Sequence, residues 1–190
     1  ADLSLLQISI FVAAFYIGAM VFQFPVGWLS DRMDRRILIV VTSAIGFIAA
    51  VTAIFGENIF IILLGSAFFI GGMSNPLYSL LIAYTNDFLE PDDMASASGG
   101  LLFLNGLGAI SGPLFTGYLM TEIGPIGFFV ILAALLGVLT VYGFYRMTQR
   151  GISDVDTSSY ATVLPTTSAV AVEIAQELAI EAAEEIDESA

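Results

Sequence analysis

The sequence predicts an all-α polytopic membrane protein with five transmembrane helices. Three observations carry this reading. Hydrophobic residues make up 57% of the 190 positions and charged residues only 12%, with a mean hydropathy of +0.90, well outside the composition of a soluble domain. Five apolar runs approach or exceed the roughly 20 residues that cross about 30 Å of hydrocarbon. The basic residues are five Arg and no Lys, and all five fall on one side of the membrane when the runs are counted as alternating spans. A soluble bundle with buried helices would need polar faces that these runs lack.

The first run covers about 4–28 and ends in a polar cluster, Gly27-Trp-Leu-Ser-Asp-Arg-Met-Asp-Arg-Arg36. The second covers about 37–55 and stops at the short turn Gly56-Glu-Asn58. The third, about 59–85, carries Gly71, Gly72, Asn75 and Pro76, where a break or kink is expected. An acidic loop, 86–93, follows, with Asp92 or Asp93 placed to cap the next helix. The fourth run, about 94–120, is rich in small residues; Thr121–Pro125 reads as a turn, and the fifth run is about 126–146. Residues 1–150 therefore form a transmembrane domain.

Two segments follow it. Residues 151–168, rich in Ser and Thr with Pro165, read as a polar linker. Over 169–190 the acids Glu173, Glu177, Glu181, Glu184 and Glu188 recur at helical spacing opposite Ala171, Ala175, Leu178, Ala182 and Ile186. Like charges at this spacing repel by about 0.2–0.5 kcal/mol per pair, so this acidic tail is expected to be only marginally helical. Anionic lipid is disfavoured as its partner, because helices that lie on such membranes are basic.

Alternation tests the span count. With the 27–36 cluster on the cytoplasmic side, the first, third and fifth spans all end there, and Arg146 and Arg150 follow the fifth. The loops assigned to the outside, 56–58 and 121–125, contain no Arg. Acidic residues have little influence on orientation, so the acidic inner loop does not conflict with this assignment.

Composition excludes several functions. Without Cys there are no disulfides or thiolate metal sites, and without His the commonest proton shuttle and metal ligand is missing. No metal or cofactor is expected. The net charge is −13, but 151–190 contribute nine acids and no bases, leaving −4 for the remainder. That balance excludes a nucleic-acid partner. There is no paired-carboxylate or nucleophile motif at depth and no phosphate-cradling loop, so neither an intramembrane enzyme nor direct use of ATP is expected.

The cluster at 27–36 has a recognisable order. Gly27, Leu29, Asp31, Arg32, Arg35 and Arg36 match the Gly-x-Leu-(Ala/Ser)-Asp-Arg-x-Gly-Arg-Arg loop of the major facilitator superfamily (MFS) of secondary transporters, with Asp34 where that family usually has Gly. The chain resembles part of such a transporter. The resemblance implies two six-helix halves, of which these spans would be a partial MFS-type half, in a bacterial plasma (inner) membrane with the motif loop and tail cytoplasmic. The chain opens at Ala1 without Met or a signal sequence, and it is expected to be a piece of a longer polypeptide. The long acidic tail after the fifth span points to helices eight to twelve, the C-terminal portion, as does the lack of Arg in the third run. The alternative is helices two to six plus the central loop. The expected partners are the lipid bilayer, the missing N-terminal helices and an unidentified small-molecule substrate.

The resemblance also implies a conformational gate at Gly27, Asp31, Arg32, Arg35 and Arg36. In it the Asp31 carboxylate would face the N-terminus of a helix from the other half, a contact that contributes about 0.3–1 kcal/mol and up to ~2 when partly buried. The Asp34 charge is expected to weaken this latch. Polar residues within the first, third and fourth runs are candidates for lining a solute cavity: Tyr16, Gln23, Asn75, Tyr78, Ser79 and Asn105. Pro76, Gly108, Gly112, Pro113 and Gly117 are candidates for helix packing and kinking. The Gly108-x-x-x-Gly112-Pro113 element is similar to a Gly-Pro motif of family antiporters. No charged residue falls near the middle of any run, so a proton-coupling group is expected outside this stretch. The leading reading is secondary active transport of a small solute by alternating access. The competing reading is a non-transporting membrane receptor or assembly partner of the same architecture.

Overall fold

A computed structural model describes residues 3–89 and 91–149. Five helices occupy them: α1 Leu5–Ser30, α2 Arg35–Phe55, α3 Phe60–Asn86, α4 Pro91–Ile123 and α5 Ile126–Gln149. All five are long and apolar enough to cross a membrane. This is the helical membrane fold that composition demands, because a chain in hydrocarbon must satisfy its backbone within each segment. The linker and acidic tail expected over 151–190 lie outside the described residues.

Local signals explain the helix ends. Ser4 and Gln7 close a reciprocal capping box: the Gln7 amide donates to Ser4 Oγ at 3.3 Å and the Ser4 amide to Gln7 Oε1 at 2.9 Å. Asp34 caps α2, and Gly56 ends it. Helix α4 begins at Pro91, earlier than the acidic loop suggested, because proline suits a first helical position that needs no amide donor. Asp93 therefore lies in the first turn instead of capping it. The same helix runs on to Ile123, reducing the expected Thr121–Pro125 turn to Gly124 and Pro125. Gly124 has φ +79°, a left-handed conformation that terminates helices and suits glycine.

The expected break at Asn75–Pro76 does not occur. Helix α3 continues as a single α-helix through Pro76, which is fully buried. Gly71 and Gly72 have a different role from the one expected. They mark the crossing of α1 and α3, where a Cβ at Gly71 would strike the Phe15 carbonyl and one at Gly72 the Phe22 ring. Gly18 faces the Phe68 carbonyl in the same crossing. In lipid no hydrophobic drive holds helices together, so this backbone proximity supplies the van der Waals contact that does.

Helix α2 lies at the centre, packed against α3 on one side and antiparallel to α5 on the other. Ala49, Ala50 and Ala53 of α2 meet Leu63 and Ile70 of α3 and Phe129 and Ala133 of α5 in one apolar core. Nearer the other end, Thr140 Oγ1 donates to Ser43 Oγ at 3.0 Å across the α2–α5 seam. Helix α4 leans mainly on α5 and buries little. Its Gly108, Gly112 and Gly117, read as packing positions, have no neighbour within 4 Å of where a Cβ would stand. Pro113 lies inside that unbroken helix.

Candidate functional site

The loop between α1 and α2 and the end of α3 meet at one end of the bundle, and Arg35 joins them. The residue is 2% exposed. Nε donates to Ser30 Oγ at 3.2 Å, and Nη1 donates to the Ala83 carbonyl at 3.1 Å and to Asp87 Oδ1 at 2.6 Å. Three helices are thereby tied by one guanidinium: the last residue of α1, the first of α2 and the C-terminal turn of α3.

The physical logic lies in the end of α3. The Ala83, Thr85 and Asn86 carbonyls accept from the amides of Asp87, Phe88 and Leu89, and Asp87, the C-cap, adds a negative charge where the helix dipole is already negative. A cation is needed there, and Arg35 supplies it. With side-chain exposures of 1% and 8%, the pair is a buried one, for which loss of one partner costs about 3–5 kcal/mol. Asn86, 7% exposed in the same corner, has an Oδ1 with no hydrogen-bond partner among the described residues.

The other motif residues divide the remaining tasks. Asp34 Oδ1 accepts from the Arg36 amide at 2.9 Å, and Arg36 Nη2 lies 2.8 Å from Asp34 Oδ2. Burial alone would raise the Asp34 pKa, but the hydrogen bonds and charge of Arg36 outweigh it and hold the carboxyl below its ordinary value. The residue that departs from the family pattern is thus a helix cap compensated by its neighbour. Arg32 folds back onto Trp28, its guanidinium 4.2 Å from the ring centroid and Nη1 donating to the Trp28 carbonyl at 3.1 Å. Asp31 closes α1 with its amide 3.3 Å from the carbonyl of the buried Gly27, and its side chain is exposed.

Of the six candidate lining residues, the structure brings two together. Asn105 Nδ2 donates to Tyr78 Oη at 2.9 Å, a link from α4 to α3. Asn75 Nδ2 instead donates to the Gly71 carbonyl of its own helix at 3.2 Å. Ser79 is 1% exposed within the packed core. On α1, Tyr16 is 64% exposed, with its ring edge-on to Phe15, and Gln23 is half-buried. Asn75, Tyr16 and Gln23 are not joined to the Tyr78–Asn105 pair.

Sequence reasoning missed Ser30, Asn86 and Asp87. The signal for Asp87 was available: the span count put the 86–93 acids on the same side as Arg35, so an ion pair between the two loops was possible. For Ser30 and Asn86 there was no comparable signal.

Five helices long and apolar enough to cross a membrane, three of them tied at one end by a single arginine, define a polytopic helical membrane protein. The chain belongs to the Major Facilitator Superfamily, whose family model matches residues 1–172. It is 36% identical over 119 residues to the uncharacterised MFS-type transporter YfkF of Bacillus subtilis (strain 168), a match covering 60% of this chain and 29% of that protein. It is 29% identical over 148 residues to the benzoate transport protein of Acinetobacter baylyi (strain ATCC 33305 / BD413 / ADP1), covering 75% of this chain and 31% of that protein. The matches span under a third of the length of these curated relatives. No solved structure matches the chain significantly.

Proposed function

We propose that this chain is the C-terminal portion of a secondary active transporter that moves a small solute by alternating access. Its motif end would face the cytoplasm of a bacterial plasma membrane, with the missing N-terminal helices of the same polypeptide as its partner. The observation that carries the proposal is the Arg35 anchorage. It ties the ends of α1, α2 and α3 into one unit, the kind of rigid bundle that rocks against another around a central site. Helix α4 is held to α3 by the Tyr78–Asn105 bond and otherwise rests on α5, so its open face is available to a second bundle.

In this reading the exposed Asp31 meets a helix N-terminus of the other half when the cytoplasmic side is shut, while Arg35 and Asp87 set the loop's position. Such a contact biases two conformations by its differential strength in each. The benzoate relative suggests a small organic acid as a solute class. A cation to receive its carboxylate would have to come from other helices, because these five contain none at mid-depth.

The test is solute accumulation in vesicles that contain the intact protein, comparing the parent with Arg35→Gln and Asp87→Asn. Uptake should fall at least several-fold in each while the protein remains inserted. Uptake rates equal to the parent's would remove the motif corner from the transport cycle.

A further inference from the structure

On the outer surface of the bundle, α5 together with Phe47 of α2 lines an open groove of about 540 Å³. Its lining includes Phe47, Gly137, Val138, Val141, Tyr142 and Tyr145, and no charged side chain. The small residues of α5 on this side are already engaged. A Cβ on Gly137 would stand 3.1 Å from the Phe47 ring, and Ala133 is buried. They form a floor and do not offer a free seat for another helix.

The end of the groove sets it apart from ordinary lipid-facing surface. Tyr142 and Tyr145 lie on its wall, both more than half exposed. Arg146 stands in the last turn of α5, with Nη1 3.5 Å from Tyr142 Oη. Among the described residues no carboxylate pairs with this guanidinium. The antiparallel α2–α5 contact puts this end beside the start of α2, at the same end of the bundle as the motif loop. There the helix leaves the hydrocarbon, at the depth of lipid headgroups. An apolar slot thus leads directly to a cation and two phenolic hydroxyls.

We propose that this groove binds an anionic phospholipid, with one acyl chain lying in it along α5 and the phosphate held by Arg146 and the hydroxyls of Tyr142 and Tyr145. Charge complementarity selects the occupant. A protein helix laid in the groove would bring apolar surface against the guanidinium, whereas an anionic headgroup neutralises it. A zwitterionic lipid carries its own cation and gains less. The inference rests on residence in the bilayer alone and is independent of the transport reading.

Native mass spectrometry tests it on protein purified from membranes in mild detergent and offered phosphatidylglycerol and phosphatidylcholine of matched chains. The parent should retain phosphatidylglycerol preferentially. Arg146→Gln should lower that retention about fivefold, the effect of one charge near a headgroup. Val138→Trp, at a rim position that is 70% exposed, should fill the groove and lower retention of both lipids. Equal retention of the two lipids by the parent, or an unchanged preference in Arg146→Gln, overturns the proposal. A photo-crosslinking side chain in place of Val141 should label lipid; labelling of another helix would show that protein covers the groove and would equally overturn it.

Discussion

Arg35 and Asp87, 52 positions apart in the chain, form a buried ion pair at 2.6 Å that joins the start of α2 to the end of α3. The same guanidinium reaches Ser30 and the Ala83 carbonyl. Removing either charge leaves the other buried without its counter-ion. Arg35→Met and Asp87→Leu should therefore each destabilise the protein by about 3–5 kcal/mol. The double variant should lose much less than the sum, because no uncompensated charge remains. Thermal unfolding of the four proteins in detergent checks this, and strictly additive losses would contradict a direct pair.

Asp31 closes α1 but is exposed, so its effect should be on transport and not on folding. Asp31→Asn should slow solute uptake with membrane insertion and yield unchanged. Uptake kinetics in vesicles provide the measurement, and kinetics identical to the parent's would remove the gating role.

The Asp34 carboxyl is held below its ordinary value of 3.8. A depressed folded-state pKa contributes stability that is complete above the unfolded value and is lost as pH falls through the folded one. Asp34→Ala should thus cost about 0.5–2 kcal/mol near neutrality through loss of the cap. It should also flatten the acid limb of the stability profile below about pH 4. Equilibrium unfolding followed across that range is the check; an acid limb as steep as the parent's would mean that Asp34 makes no contribution there.

Two glycines of α3 should respond oppositely to the same change. Gly71→Ala drives a methyl into the Phe15 carbonyl, and such overpacking costs about 1–3 kcal/mol. Gly65→Ala meets open space and should be neutral or slightly stabilising, since alanine is the better helix former. Comparing their melting temperatures decides the matter.

Much of the fold was legible in the sequence, since each span is a local property: twenty or so apolar residues suffice, whatever surrounds them. The motif loop was legible for a similar reason, its residues being close together in the chain. Proline and glycine misled where neighbours mattered. Pro76 reads as a break in isolation, yet it is fully buried and α3 continues as one helix through it. Gly71 and Gly72 read as weak points of a helix, yet they are where α1 comes closest.

By itself, the sequence determined five helices long and apolar enough to cross a membrane, with ends read to within a few residues, and an arginine cluster at the junction of the first two. Those properties follow from hydropathy and from charge at helix ends, both of which act along the chain. Only the tertiary structure decided that Arg35 pairs with Asp87, that Asp34 and Arg36 neutralise each other, and that Tyr78 meets Asn105. These partners are chosen by how helices cross, and the crossing depends on contacts between residues far apart in the chain.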